Sequence, residues 1–264
     1  MSFEPFRSAH AIAEVVFGLV FDRMLSPVEL AAFFGSHDKF KERLPGKGQV
    51  ASFPMAFGGA PIAVQGSGFS FDRFGGAGNI LQRLRLEGNA VFLNTLEYSR
   101  WADVSAQAFK LLDEALEVSI QAMLPVRSVV LQYVDVFEWK DEASNYDLTS
   151  LLNDNRKFYP ESIFDRGQFW HHHQGWYRSN DIPIEGRVLE RITTDGILNE
   201  EGKPIVRIDC HLAYEFADSF PFVSVDDRAN NRKSISEIFE FLHTENKTIM
   251  GGCLTEAMRK KINL

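Results

Sequence analysis

The sequence is poor in cysteine: Cys210 and Cys253 are the only two among 264 residues. Two thiols are too few for a disulfide framework or for a zinc site built from cysteines. Both lie among apolar neighbours, as small buried side chains often do. We therefore expect both thiols to be reduced and buried.

Clustered positive charge and long apolar runs are also missing. The formal net charge is −8, and the longest run of Lys and Arg is the RKK at 259–261. This pattern disfavours binding to the backbone of DNA or RNA. Residues 1–21 contain no apolar stretch of signal-peptide or membrane-spanning length. We expect a cytoplasmic protein without a membrane partner.

The motifs of nucleotide binding and of nucleophilic catalysis are absent as well. The segment PGKG at 45–48 lacks the spacing and the hydroxyl residue of a phosphate loop, and the two FGGA copies suit hairpin turns. QGSGF at 65–69 lacks the glycine spacing of a hydrolase elbow. Cys210 and His211 are neighbours in a predicted strand, so they face opposite ways. No catalytic constellation is complete, and no cofactor is predicted.

The chain is rich in phenylalanine and in strand patterns. It has 23 Phe spread over every segment, which indicates an aromatic-rich core. β-Branched and aromatic residues at 13–21 and 126–139 predict buried strands. Glycine turns, including Gly88-Asn89, divide 49–97 into a meander of four strands. Three further strands are predicted between about 167 and 216.

Helical spacing of apolar residues predicts two long helices. One covers 103–123. The other begins at a capping box formed by Ser234 and Glu237 and runs towards Ala257, with a kink or break at the Gly251-Gly252 pair. Shorter helices are predicted after Ser26 and within YDLTSLLND, residues 146–154.

The two halves of the chain, 1–125 and 126–264, share one element order: strand, helix, several antiparallel strands and a long amphipathic helix. We interpret this as an α+β fold whose halves are related by duplication and packed as one globular unit. Two antiparallel sheets would then join into one, with both long helices on the same face. The other face would be open to a ligand or partner.

The segment FWHHHQGWY at 169–177 holds the most conspicuous candidate site. On a strand, His171 and His173 project from one face together with Phe169, and His172 projects from the other. A His-x-His pair can hold a zinc ion, but the ion needs further ligands. Alternatively, these histidines form cross-strand pairs with aromatic neighbours, which need no ion. We adopt this second interpretation and predict no metal.

The missing zinc ligands could come from three other positions. Asp209 and His211 lie on the wet face of the predicted strand RIDCHLAYEF, and Glu190 is a further donor. Two matching ligands are much commoner than complete sites, so the zinc hypothesis stays secondary.

Two more polar groups stand at predicted core positions. Asp135 lies in mid-strand on the same face as apolar residues, where a carboxylate is costly unless it is paired. A buried partner such as Arg is the simpler explanation, and a site acid is the alternative. His243 and Asn246 stand at i and i+3 on the last helix, where we expect a structural bond to each other or to a neighbouring strand.

Several segments resemble one family. They are AEVVFGLVF with LSPVEL, YSRW with Tyr98 and Trp101, VLQYVDVF, and the ending IFEFLHTENKTIMGGCLTEAMRKKI with His243, Asn246 and 254–256. Together they are similar to a sporadically distributed prokaryotic family of conserved hypothetical proteins of about 250 residues. The resemblance covers nearly the whole chain. It carries no activity or site residue, and its patchy distribution implies mobile cassettes such as phage-defence or toxin-antitoxin modules.

The absence of a catalytic constellation, together with the open sheet face, favours a non-catalytic interaction or sensing protein. We expect a protein partner or a homo-oligomer. The alternative is an enzyme or a small-ligand or metal-binding protein. Its site would lie on the sheet and draw on His171, His173, His211, Asp209 or Asp135.

Overall fold

The computed structural model describes residues 3–50, 56–57, 60–61, 68–119, 124–154, 157–220 and 228–264. The strands are β1 (Phe3–Pro5), β2 (Ile12–Phe21), β3 (Gly46–Val50), β4 (Ala56–Phe57), β5 (Ala60–Pro61), β6 (Gly68–Phe74), β7 (Ile80–Glu87), β8 (Ala90–Thr95), β9 (Val126–Trp139), β10 (Trp170–Arg178), β11 (Gly186–Leu198) and β12 (Pro204–Phe220). The α-helices are α1 (Pro27–Gly35), α2 (Trp101–Ser119), α3 (Arg228–Cys253) and α4 (Glu256–Lys261).

Most of the strands form one antiparallel sheet of 10 strands, in the order β10-β11-β12-β9-β2-β8-β7-β6-β3, with β1 paired to β9. β4 and β5 pair with each other. The predicted antiparallel sheet with accompanying helices is confirmed. Within the described residues, no helix is both long enough and apolar enough to cross a membrane.

The meander follows the predicted pattern where it is described. β6, β7 and β8 pair in sequence, and the turn between β7 and β8 is the predicted Gly88-Asn89, with Gly88 at φ +59°. Gly tolerates this left-handed conformation without strain. Side chains alternate along β7 as expected, with Gln82, Leu84 and Leu86 buried. The parts of the predicted meander at 51–55, 58–59 and 62–67 lie outside the described residues.

The predicted start of α3 is wrong. The helix begins at Arg228, so Ser234 and Glu237 lie inside it. The additional first turns are anchored by Arg232, which donates to Asp113 (2.6 Å) and Glu117 (3.0 Å) of α2. These partners are more than 100 residues away along the chain, so the local pattern does not reveal them.

The predicted break near Gly251-Gly252 is found one residue further on, because α3 ends at Cys253 and α4 begins at Glu256. The helix stops where Thr255 caps α4, its hydroxyl accepting from the Met258 amide. The predicted helix at 146–154 is reduced to a 3₁₀ turn, Leu148–Ser150, which Asp147 caps. At α2 the described helix ends at Ser119, and the predicted residues 120–123 lie outside the described part.

The chain divides into two compact units. The first comprises Met1–Val15, Leu131–Glu215 and Glu237–Leu264, and the second Val16–Val130 and Phe216–Ser236. Each contains clustered buried aromatic rings, as the phenylalanine content predicts. The first unit packs Phe3 edge-on against Trp139 (5.1 Å), and the second stacks Phe33 on Phe71 (4.3 Å).

Candidate functional site

In the first unit, the sheet presents two different faces. On one face, Tyr133 of β9, Arg178 of β10 and Tyr214 of β12 contact α3. Side chains alternate along a strand, so their immediate neighbours project away from α3. We call the side chains of β9 to β12 that project away from α3 the outer face, and we include the exposed Phe169, which directly precedes β10.

The histidines of β10 are bonded across the strand pair. The register places His171 opposite Asp195 and His173 opposite Thr193. His171 Nδ1 lies 2.6 Å from an Asp195 carboxylate oxygen, and His173 Nδ1 lies 2.9 Å from the Thr193 hydroxyl. Both histidines are exposed, whereas the intervening His172 is half-buried with its ring 5.8 Å from Tyr159. The predicted alternation is confirmed, but the predicted cross-strand aromatic pairs of His171 and His173 are wrong, because their partners across the strand pair are Asp195 and Thr193.

Polar contacts continue across the sheet from β10 to β9. Arg207 of β12 lies 3.7 Å from Asp195 and 3.2 Å from Asp209. Gln132 of β9 donates to both Asp209 oxygens, at 2.8 and 2.9 Å. We call His171, Asp195, Arg207, Asp209 and Gln132 the polar ladder. Asp195 and Asp209 are each bonded to neighbouring side chains, so neither is available as a general base.

The hypothetical zinc ligands are not brought together. Within the described part of the chain, no group of three or more His, Cys, Asp and Glu side chains could hold a metal ion. The His171 and His173 Nδ1 atoms face Asp195 and Thr193. Glu190 is buried and lies on the α3 side, where it accepts hydrogen bonds from Trp176 (2.7 Å) and Arg178 (2.9 Å).

Arg191, a basic group of the outer face, has no counter-ion among the described residues. Arg191 of β11 stands opposite Gly175 of β10. Glycine has no side chain, so the outer face has a gap there, between His173 and Tyr177. Arg191 is exposed and forms no ion pair or hydrogen bond with any described residue. Tyr177, beside the gap, is 54% exposed.

His211 of β12, on the same face, has a ring nitrogen without a hydrogen-bond partner among the described residues. Burial, together with the positive charge of Arg191, lowers the pKa of His211 to about 4. The imidazole is therefore neutral near pH 7. Its Nδ1 atom is buried and has no hydrogen-bond partner among the described residues. Arg191 and His211 together offer charge and hydrogen-bonding capacity that the fold does not use.

On the α3 side, Asp135 is 4% exposed. Burial raises its pKa to about 7. Asp135 forms no ion pair with any described residue, so the expected buried Arg partner is not found in the described part of the chain. Cys210 and Cys253 are free thiols and fully buried, as predicted. Burial raises the pKa of Cys253 to about 12.

The bond expected of His243 is confirmed. Its Nδ1 lies 2.8 Å from the Tyr133 hydroxyl of β9, a neighbouring strand. Burial lowers the pKa of His243 to about 4, with Lys247 contributing. Asn246 is 6% exposed and its Oδ1 has no partner among the described residues.

No family model, no curated protein and no solved structure matches this chain. A function can therefore be inferred only from the geometry of the site. Arg191 is the residue that the sequence analysis missed. The signal for it is the pairing of a strand arginine with a strand glycine, which becomes visible only when the register of β10 and β11 is known.

Proposed function

We propose that the protein is a non-catalytic interaction protein that receives an acidic segment of a partner protein on the outer face. The observation that carries this proposal is the exposed, unpaired Arg191 in the gap at Gly175. A guanidinium group binds a carboxylate through two parallel hydrogen bonds, which fixes orientation as well as charge. The ligand we infer is an Asp or Glu side chain in an extended segment.

Apolar groups on the same face support an extended ligand. Phe169 immediately precedes β10, whose first residue Trp170 pairs with Gly196, and Ile197 follows Gly196 in β11. Phe169 is 66% exposed and Ile197 is 39% exposed. Six residues along β10 separate Phe169 from Gly175, a span of about 20 Å. A segment of about seven residues therefore places its acid on Arg191 and an apolar side chain on Phe169. Aromatic residues and Arg are enriched in protein interfaces.

The state of the other polar groups supports binding rather than catalysis. The acids of the polar ladder are each bonded to neighbouring side chains. Asp135 projects from the opposite side of the sheet, so it does not join His171 and His173. A catalytic site needs a nucleophile and a base within hydrogen-bond reach of each other.

We also propose that the halves 1–125 and 126–264 arose by duplication and carry α2 and α3 on the same face of the sheet. The strand order supports this. In each half, the first long strand, β2 or β9, is followed outwards by the last strand and then by the earlier ones: β8-β7-β6 and β12-β11-β10. A mobile defence or toxin-antitoxin cassette, which the family resemblance implies, would supply the partner.

Selection from a library of displayed random peptides of about 12 residues tests the proposed function. We expect the wild-type protein to enrich peptides that share an Asp or Glu and an apolar residue about six positions away. Arg191→Ala removes the guanidinium group that selects the acid, so this enrichment is expected to disappear.

Arg127→Ala is the matched control, because Arg127 is another exposed strand arginine in the second compact unit. It is expected to leave the selected peptides unchanged. No enrichment by the wild type, or the same enrichment by Arg191→Ala, would contradict the proposal.

A further inference from the structure

β10 is an edge strand without the usual protection against pairing. It ends the strand order, and its nine residues pair in continuous register with β11. Within the described residues, its backbone forms no hydrogen bond to any other segment. The strand WHHHQGWYR contains no Lys and no Pro, two residues that commonly block edge pairing.

The opposite edge of the sheet is protected. β3 has only five residues, GKGQV, of which two are glycines and one is Lys47. Short length and an edge Lys are common devices against strand addition. The contrast indicates that pairing is opposed at one edge and permitted at the other.

We propose that β10 pairs antiparallel with β10 of a second copy of this chain, around a twofold axis at Gln174. Only this register pairs all nine residues. It sets Trp170 opposite Arg178, His172 opposite Trp176 and His171 opposite Tyr177. The His172–Trp176 and His171–Tyr177 pairs are aromatic and stabilise adjacent strands, while Arg178 keeps its ion pairs with Glu190 and Glu245.

Charge and burial favour a second copy as the occupant. The one permanently charged residue of β10 is Arg178, and the twofold axis places the two copies of Arg178 about 26 Å apart along the strands. This exceeds the distance over which exposed charges interact at physiological salt. Trp170 and Trp176 are half-exposed on the α3 side, and pairing covers both. A C2 interface requires such self-complementarity.

Disulfide trapping at the axis tests the pairing. In Gln174→Cys, the two introduced thiols face each other directly, so mild oxidation with oxidised glutathione is expected to yield a covalent dimer. Native thiols do not compete, because Cys210 and Cys253 are fully buried. His172→Cys is the matched control. Its two copies are offset by about 13 Å along the strands, beyond the reach of a disulfide.

Sedimentation of the wild-type protein gives the second measurement. We expect a dimer, and we expect Gln174→Lys to sediment as a monomer because it opposes two ammonium groups at the axis. A monomeric wild type overturns the inference. So does a dimer that Gln174→Cys does not trap, or one that His172→Cys traps equally well. The edge pairing does not depend on the carboxylate site at Arg191. A failed peptide selection would leave the predicted dimer untouched, and a monomer in sedimentation would leave the predicted peptide binding untouched.

Discussion

Replacing Asp135 by Asn is expected to raise the free energy of unfolding by about 4 kcal/mol at pH 8 and by very little at pH 4. Burial raises the pKa of Asp135 from 3.8 to about 7. In the unfolded chain the carboxyl ionises near its ordinary pKa, but in the folded protein it keeps its proton to near neutral pH. The Asn side chain has almost the same shape and carries no charge.

The direction of the pH dependence follows from the raised pKa. Below about pH 4, Asp135 is protonated in both the folded and the unfolded states, and its full contribution to stability is present. As the pH rises towards 7, the unfolded chain gains from ionisation while the folded protein does not, so stability is lost. Above about pH 7 the loss is complete and constant.

Urea unfolding of the wild type and the variant at pH 4, 5, 6, 7 and 8 measures this difference. Comparing the two proteins at each pH cancels the contributions of other groups, including His211 and His243. Asp209→Asn is the matched control, because Asp209 is bonded to Gln132 and Arg207. We expect no gain in stability from it at any pH. If Asp135→Asn shifted stability equally at all five pH values, the burial of an unpaired acid would be refuted.

Alanine at two adjacent glycines of α3 is expected to have opposite effects. A methyl group at Gly251 meets nothing closer than Arg259 Cδ at 4.0 Å, whereas one at Gly252 would lie 2.2 Å from the Phe158 ring. Gly251→Ala should therefore raise the free energy of unfolding by about 1 kcal/mol, the usual difference in helix propensity. Gly252→Ala should lower it by about 2 kcal/mol, because the buried Phe158 ring must move.

Thermal or urea unfolding of both variants gives this comparison directly. The double variant Gly252→Ala with Phe158→Ala provides the control, since it removes the ring that the new methyl group meets. Relative to Phe158→Ala alone, adding the alanine at position 252 should then be neutral or stabilising. If Gly252→Ala by itself were as stable as Gly251→Ala, the close approach of Phe158 to α3 would be wrong.

The same pair of glycines illustrates what a single sequence can and cannot predict. Two glycines in a helical pattern indicate a break, and α3 does end at Cys253, directly after them. The local pattern contains no information about Phe158, which packs against Gly252. The start of α3 was misplaced for a related reason, since Arg232 binds residues of α2. The close approach of Phe158 to Gly252 and the early start of α3 both depend on contacts between segments that are distant in sequence.

The candidate site was predictable to the same limited extent. Strand alternation correctly placed His171 and His173 on one side of the sheet and His172 on the other. The residues opposite them depend on register, and a shift of one residue exchanges the faces of a strand. Asp195, Thr193 and Arg191 could therefore not be identified as neighbours of the histidines. The unusual position of Asp135 was visible, but the absence of a partner among the described residues required the fold.

A double-mutant cycle between Arg191 and the acid of a selected peptide tests the proposed function most directly. The dissociation constant is measured for wild type and Arg191→Ala, each with the acidic peptide and with its Glu→Gln or Asp→Asn form. We predict that either change alone weakens binding about 10-fold or more, and that both together weaken it no further. Losses that multiply independently would show that Arg191 does not bind the acid and would contradict the proposed function.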